Sequence, residues 1–289
     1  MLKTVWLTNK TNSVDGCVML LGGFDGLHVG HKALFSRAKS YQKTVGVMSI
    51  VGAKGDKSLY SFLEREHIFA SEGADFVFEL NFEEIKGLSP EKFIELLKEN
   101  FNPSCFVCGT DFRFGYKAQG DVQTLKEWGQ VCVDAIPLVE VDGEKVSSTR
   151  IKQCLQNGAV AEANTLLSQP FFVLGEVFED RKLGRNIGFP TANICYPEDK
   201  FPIKQGVYHT QVEIDGKTYT CVTNYGARPT YNNDKVLTET HVIGFDGNLY
   251  GKTLKVEFLR YLRDIQAFES VELLKEQLKK DVRRAMQND

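Results

Sequence analysis

His28 and His31 lie on one glycine-rich turn, Gly22-Gly23-Phe24-Asp25-Gly26-Leu27-His28-Val29-Gly30-His31, in a chain with only five histidines. Imidazole donates hydrogen bonds to phosphate oxygens and gains charge near neutral pH. Glycines let the backbone close on a ligand. The chemistry these residues suit is charge stabilisation on a nucleoside triphosphate. Flanking elements must hold the turn. Residues 17–21 are an apolar run that reads as a buried strand, and residues 32–38 read as a helix. The turn therefore opens a helix, whose free N–H groups and dipole favour an anion. No Walker A motif and no Gly-x-Gly-x-x-Gly is present, so this is neither a P-loop nor a dinucleotide fingerprint.

Two further patches of the first half carry phosphate-compatible chemistry. One is Gly109-Thr110-Asp111-Phe112-Arg113-Phe114-Gly115, leading to Gly120-Asp121; the other is Val146-Ser147-Ser148-Thr149-Arg150-Ile151-Lys152. Hydroxyls and a cation at a helix start suit triphosphate oxygens. Each patch also has a plainer reading: Ser-Ser-Thr as a helix cap, and the two phenylalanines flanking Arg113 as a packed loop.

The elements behind these patches alternate. Strands are predicted at 45–50, 76–80, 105–108 and 131–137. Helices are predicted at 62–71 and after Ser89-Pro90, with Ser as N-cap and Pro in the first turn. Such βαβα order implies a parallel, doubly wound sheet, Rossmann-like, with its ligand beyond the carboxyl ends of the strands. Near Gln169-Pro170 the texture changes to short runs at 207–214, 218–222, 237–243 and 254–259, with Asp215-Gly216 as a hairpin signal. That pattern predicts a small antiparallel β-barrel. A last helix begins at Ser270, with Leu274, Leu278 and Val282 as its apolar stripe. The domains are set at 1–168 and 169–289.

The formal net charge of −3 gives no support to a nucleic-acid surface. No apolar run nears the ~18 residues of a membrane span, and the first residues lack a signal peptide's core. The expectation is a cytoplasmic enzyme acting on small molecules, without nucleic-acid or membrane partners. Seven cysteines without paired spacing read as free thiols. Cys105 and Cys108, three apart on a strand, point to opposite faces and read as small core residues. His67, His209 and His241 read as structural.

Taken in order, these motifs resemble the bacterial bifunctional riboflavin kinase/FMN adenylyltransferase (FAD synthetase) family. The first half resembles its nucleotidyltransferase domain at the glycine-histidine turn, the Asp-Phe-Arg-Phe-Gly loop and Ser-Ser-Thr. The resemblance implies adenylylation of FMN by ATP with release of pyrophosphate. It gives His28 and His31 charge stabilisation at the reacting phosphorus. Gly23, Phe24, Asp25, Gly26, Ser148, Thr149 and Arg150 hold ATP, and Asp111 lies in the nucleotide pocket. The second half resembles the riboflavin kinase domain at Gly184-Arg185-Asn186-Ile187-Gly188-Phe189-Pro190-Thr191-Ala192-Asn193, at residues 224–230 and at Glu239-Thr240-His241. There the resemblance implies Mg²⁺ at Thr191 and Asn193, and Glu239 as base. Gly184, Arg185, Asn224, Arg228 and Arg263 bind ATP or flavin. ATP, riboflavin, FMN and FAD follow as substrates and products.

Departures from the family pattern are Lys152 in place of arginine and residues 50–56 in place of an aromatic and Pro-His segment. In the second half they are Asp180 for glycine, Gly244 for aspartate and Ile265 for glutamate. Two alternatives accompany them: an adenylyltransferase with a weak or silent kinase-like domain, and a non-catalytic flavin- or nucleotide-binding regulator.

Overall fold

The computed structural model describes residues 3–6, 14–52, 57–179, 187–227 and 236–287. The chain divides into two compact units, Met1–Ser148 and Thr149–Asp289.

The first unit is built on a six-stranded sheet. Its strands are β1 (Lys3–Trp6), β2 (Val18–Leu21), β3 (Val45–Val51), β4 (Phe76–Asn81), β5 (Cys105–Gly109) and β6 (Cys132–Ile136), in spatial order β1-β4-β3-β2-β5-β6. All neighbours from β4 to β6 are parallel. The five parallel strands are those the βαβα reading predicts. β1 is the addition, an antiparallel edge strand on β4. Helices α1 (Val29–Lys39), α2 (Phe62–Ser71), α3 (Phe82–Ile85), α4 (Pro90–Phe101) and α5 (Val122–Trp128) connect them. Local chemistry fixes their starts. Ser61 and Glu64 form a capping box on α2, and Ser89 caps α4 with Pro90 at its first position. Phe76, Phe78, Phe93, Phe101 and Phe106 join one buried cluster with Leu125 of α5.

From β2 the chain goes to β3 on one side, and later returns to β5 on the other. The sheet thus has its topological switch between β2 and β5, where α/β sheets bind ligands. The histidine turn follows β2 and the Asp111 loop follows β5. A small hairpin, β7 (Glu140–Val141) and β8 (Glu144–Lys145), ends the unit.

The second unit opens with α6 (Ser148–Gln156), whose first residue still belongs to the first unit, and α7 (Val160–Leu166). Strands β9 (Phe172–Glu176), β10 (Ala192–Cys195), β11 (Gly206–Ile214), β12 (Lys217–Ala227), β13 (Val236–Val242) and β14 (Thr253–Arg263) form an antiparallel sheet ordered β10-β13-β12-β11-β14-β9. A bridge between Phe178 and Asn193, with Phe178 N–H donating to the Asn193 carbonyl at 3.0 Å, nearly closes it into a barrel. Asp215 and Gly216 both take positive φ in a two-residue turn pairing Ile214 with Lys217, the hairpin their sequence predicts. The interior is partly polar: Thr210, Thr223 and Thr240 are fully buried and linked hydroxyl to hydroxyl at 2.7 and 2.9 Å. Satisfying one another in this way removes the cost of burying them.

The last helix, α8 (Val271–Met286), is capped by Ser270 as its sequence predicts. Ala285 and Val282 pack on Val207, Val222 and Leu262. Leu274 and Leu278 are only half-buried, and Asp281 is fully buried beside them.

Candidate active sites

In the first unit, His28 is the N-cap of α1, and its Nδ1 accepts the His31 backbone N–H at 3.2 Å. That bond fixes the neutral tautomer: Nδ1 is the acceptor, so the proton sits on Nε2, available as a donor. The two rings stack with centroids 3.6 Å apart, and His31 packs on Phe24 at 4.6 Å. His31 Nδ1 is buried without a hydrogen-bond partner. The turn is rigidly seated. Phe24 is buried and meets Phe35 and Phe69 edge-on, while Asp25 Oδ1 accepts the Leu59 N–H at 2.7 Å. Gly26 is required by approach, since a Cβ there would sit 2.9 Å from the Tyr60 ring. Thus Phe24 anchors the turn from below, and Asp25 ties it to the segment before α2.

Burial pushes His28 down to about 4, with nearby Lys145 pushing the same way and Asp111 opposing. Burial first, and then His28, hold His31 well below its usual range, opposed by a hydrogen bond with the Gly26 backbone. Both rings are therefore neutral at pH 7 without ligand. A triphosphate favours the imidazolium and raises the His28 value; the second proton goes to Nδ1 in place of the His31 N–H bond, so proton uptake on binding at pH 6 comes at the expense of that cap. Calorimetry of ATP binding in two buffers of different ionisation enthalpy is expected to show a net uptake of up to about one proton at pH 6. That uptake should diminish in His28→Ala. Equal proton uptake by parent and variant would remove His28 from the anion site.

Asp111 pairs with Lys145 of β8. Lys145, absent from the sequence-derived set, is thus brought beside both Asp111 and His28. Its only sequence signal is a position three residues before Ser148. Phe112 and Phe114 stack at 5.5 Å, and Phe114 packs on Phe93, so this loop is the packed one of the plainer reading. Arg113 turns outward to Asp121, which caps α5. Gly23 lies in open space. Ser148 begins α6. Thr149, exposed, and Arg150, half-buried, follow in its first turn within the second unit.

In the second unit, strand register assembles the kinase candidates. Asn193 on β10 pairs with Glu239 on β13, and Glu239 pairs with Asn224 on β12. Directly paired residues share a face, so the three form one row across the sheet. Asn224 Nδ2 donates to Glu239 Oε2 at 3.0 Å. Asn193 is buried, and its Oδ1 has no hydrogen-bond partner. Thr191 lies just before β10. His241 bonds the Pro190 carbonyl at 2.9 Å and meets Phe189 edge-on, so it holds the segment leading to Thr191.

Arg263 extends the row through its pairing with Val207, but its guanidinium is engaged. Both Nε and Nη2 donate to the buried Asp281 carboxylate, at 3.0, 3.1 and 2.7 Å, and Gln277 completes the carboxylate at 2.8 Å. The arginine ties α8 to the barrel. Gly244 takes φ 72, a left-handed position that favours glycine over most residues. Ile265 covers Gly226, where a Cβ would fall 2.5 Å from its Cδ1. Asp180, Gly184, Arg185 and Arg228 lie outside the described residues, as do residues 53–56.

Comparison with known proteins follows the same division. A family model described as FAD synthetase matches residues 10–150, and one described as riboflavin kinase matches residues 167–288. The bifunctional riboflavin kinase/FMN adenylyltransferase of Pseudomonas fluorescens is 35% identical over 284 residues, covering 92% of this chain and 91% of that protein. The enzyme of the same name from Bacillus subtilis is 32% identical over 309 residues, covering 99% and 98%. A solved structure named as a macrolide-efflux protein from Streptococcus pneumoniae superposes with a TM-score of 0.84 at 29% identity over 96% of both chains. Among the described residues here, no helix is long and apolar enough to cross a membrane.

Proposed function

The chain belongs to the bifunctional riboflavin kinase/FMN adenylyltransferase family, and from that membership we propose which of its residues perform the two reactions. The family activity is phosphorylation of riboflavin to FMN and adenylylation of FMN to FAD. In the adenylyl transfer, an FMN phosphate oxygen attacks the α-phosphorus of ATP, the bond to the β-phosphate oxygen breaks and pyrophosphate leaves. No covalent enzyme intermediate is needed. His28 donates through Nε2 to the triphosphate, and His31 lies beneath it with a buried nitrogen lacking a partner. Negative charge that grows at the reacting phosphorus strengthens the Nε2–H donation from His28 and favours a proton on the unpartnered His31 Nδ1, which is differential stabilisation of the transition state. Lys145, released from Asp111, adds a cation. Gly23, Phe24, Asp25 and Gly26 shape the turn, and Ser148, Thr149 and Arg150 hold phosphate oxygens. The observation carrying this assignment is the stacked histidine pair at a helix N-terminus, on the topological switch of the sheet.

In the kinase reaction, the terminal ribityl hydroxyl attacks the γ-phosphorus and ADP leaves. Glu239 accepts the hydroxyl proton, oriented by the bond from Asn224. The buried, unpartnered Asn193 Oδ1 and the Thr191 hydroxyl are oxygen donors of the kind Mg²⁺ prefers, and they would hold that ion. When bound, Mg²⁺ neutralises the transferring phosphates. Gly184, Arg185 and Arg228 complete the ATP and flavin contacts. Arg263 contributes by fixing α8. Small-molecule substrates, a cytoplasmic setting and no nucleic-acid partner belong to the same proposal.

The proposed functional domains are 1–168 and 169–289, whereas the compact units divide at Ser148/Thr149, which places α6 and α7 with the second unit. Val160, Ala163 and Leu166 of α7 are buried, Asn164 Nδ2 donates to the Phe258 carbonyl, and Asn164 Oδ1 accepts the Phe171 N–H, both at 2.8 Å. Fragments 149–289 and 169–289 are both expected to melt cooperatively. The shorter should melt lower, since each large apolar side chain lost is worth about 1.5–3 kcal/mol. A non-cooperative melt of the shorter fragment would move the boundary to Ser148.

A further inference from the structure

At the amino-terminal ends of the parallel strands, opposite to the end that carries the histidines, two thiols meet one phenol. Cys105 and Cys132 open the neighbouring parallel strands β5 and β6 and are register partners. Paired strands lie about 4.7–4.9 Å apart, inside the Cα separation of about 4.4–6.8 Å that a disulfide spans. Both sulfurs reach the hydroxyl of Tyr41, just beyond α1. Cys105 Sγ donates to it at 3.4 Å, and Cys132 Sγ lies 3.8 Å away. Tyr41 in turn donates to Asp134 Oδ2 at 3.0 Å, and Arg37 of α1 holds the same oxygen. Cys132 is exposed and Cys105 is buried. The flavin and nucleotide chemistry uses none of these five side chains.

We propose that Cys132 and Cys105 form a thiol–disulfide exchange site, which a low-molecular-weight disulfide converts to an intramolecular Cys105–Cys132 disulfide. The Cys132 thiolate attacks one sulfur of the small disulfide. Its S–S bond breaks, one thiolate leaves and a mixed disulfide forms on Cys132. Cys105 then attacks Cys132 Sγ, and the second small thiolate leaves. Two electrons pass from the cysteines to the reagent, and their two protons end on the two small thiols released. Burial pushes the Cys105 thiol up to about 12, so its attack requires a proton acceptor. The chain Cys105 to Tyr41 to Asp134 is that acceptor path, with Tyr41 as a positioning residue that relays the proton. An exposed entry thiol and a buried resolving thiol give the site an order: Cys132 first, Cys105 second.

The test treats full-length protein with oxidised glutathione, caps free thiols and maps the non-reduced digest by mass spectrometry. The parent is expected to give one peptide pair joined through Cys105 and Cys132 and reversed by dithiothreitol. Cys105→Ser should accumulate glutathione on Cys132. Tyr41→Phe should acquire glutathione on Cys132 at the parental rate but convert it to the crosslink about tenfold or more slowly, the loss of a proton acceptor. Glutathione retained on Cys132 of the parent without a crosslink would overturn the proposal. So would a bridge from Cys132 to any other cysteine, or an unreactive Cys132. An unchanged conversion rate in Tyr41→Phe would overturn the relay.

Discussion

Conversion of FMN to FAD is expected to fall by at least ~100-fold in His31→Ala, while phosphorylation of riboflavin continues at the parental rate. Removing one donor that stabilises developing charge typically costs this much. His31 also packs between His28 and Phe24, so the substitution leaves a gap beneath the turn. His28→Ala separates the two effects. It should lose similar activity, but it sacrifices the α1 cap instead of the packing, a cost of about 0.5–2 kcal/mol. Both variants should keep a cooperative melt. The observable is FAD formed from supplied FMN and ATP, resolved by chromatography. FAD made at the parental rate by His31→Ala would refute the assignment of the pair to the adenylyl site.

The second large effect is expected at Glu239. The ribityl hydroxyl is a poor nucleophile unless something takes its proton. Glu239→Gln keeps the shape and an oxygen for Asn224, and removes the base. FMN formation should fall by ~10²–10⁴-fold, the usual contribution of a general base, with FAD formation from supplied FMN unchanged. Thr191→Ala should behave differently, raising the KM for ATP more than it lowers kcat. Equal FMN production by the parent and Glu239→Gln would show that another group accepts the proton.

The sequence disclosed the elements whose signals are local. The Ser89 and Ser270 caps, the Asp215-Gly216 turn and the apolar runs of β2 to β6 all stand where residue type alone puts them. It also named the histidine turn and Glu239, because motif order survives in a linear chain. What it missed depends on tertiary register. Asp281 has no motif of its own on a helix with an apolar stripe, and the approach of Arg263 from another element, with Gln277, makes its burial tolerable. Lys145 has no motif of its own, and a hairpin folds it back to Asp111. Cys105 looks like core filling until β6 brings Cys132 alongside. β1 is a short edge strand whose pairing with β4 no local pattern announces.

The proposed separation gives adenylylation to residues 1–168 and phosphorylation to residues 169–289, with FMN released between the two steps. It is tested most directly by mixing the two variants. His31→Ala alone, given riboflavin, ATP and Mg²⁺, should stop at FMN; Glu239→Gln alone should leave riboflavin almost untouched. An equimolar mixture should make FAD from riboflavin, because one variant supplies the FMN that the other adenylylates. A mixture that yields FMN without FAD, or a single variant that has lost both reactions, would contradict the account.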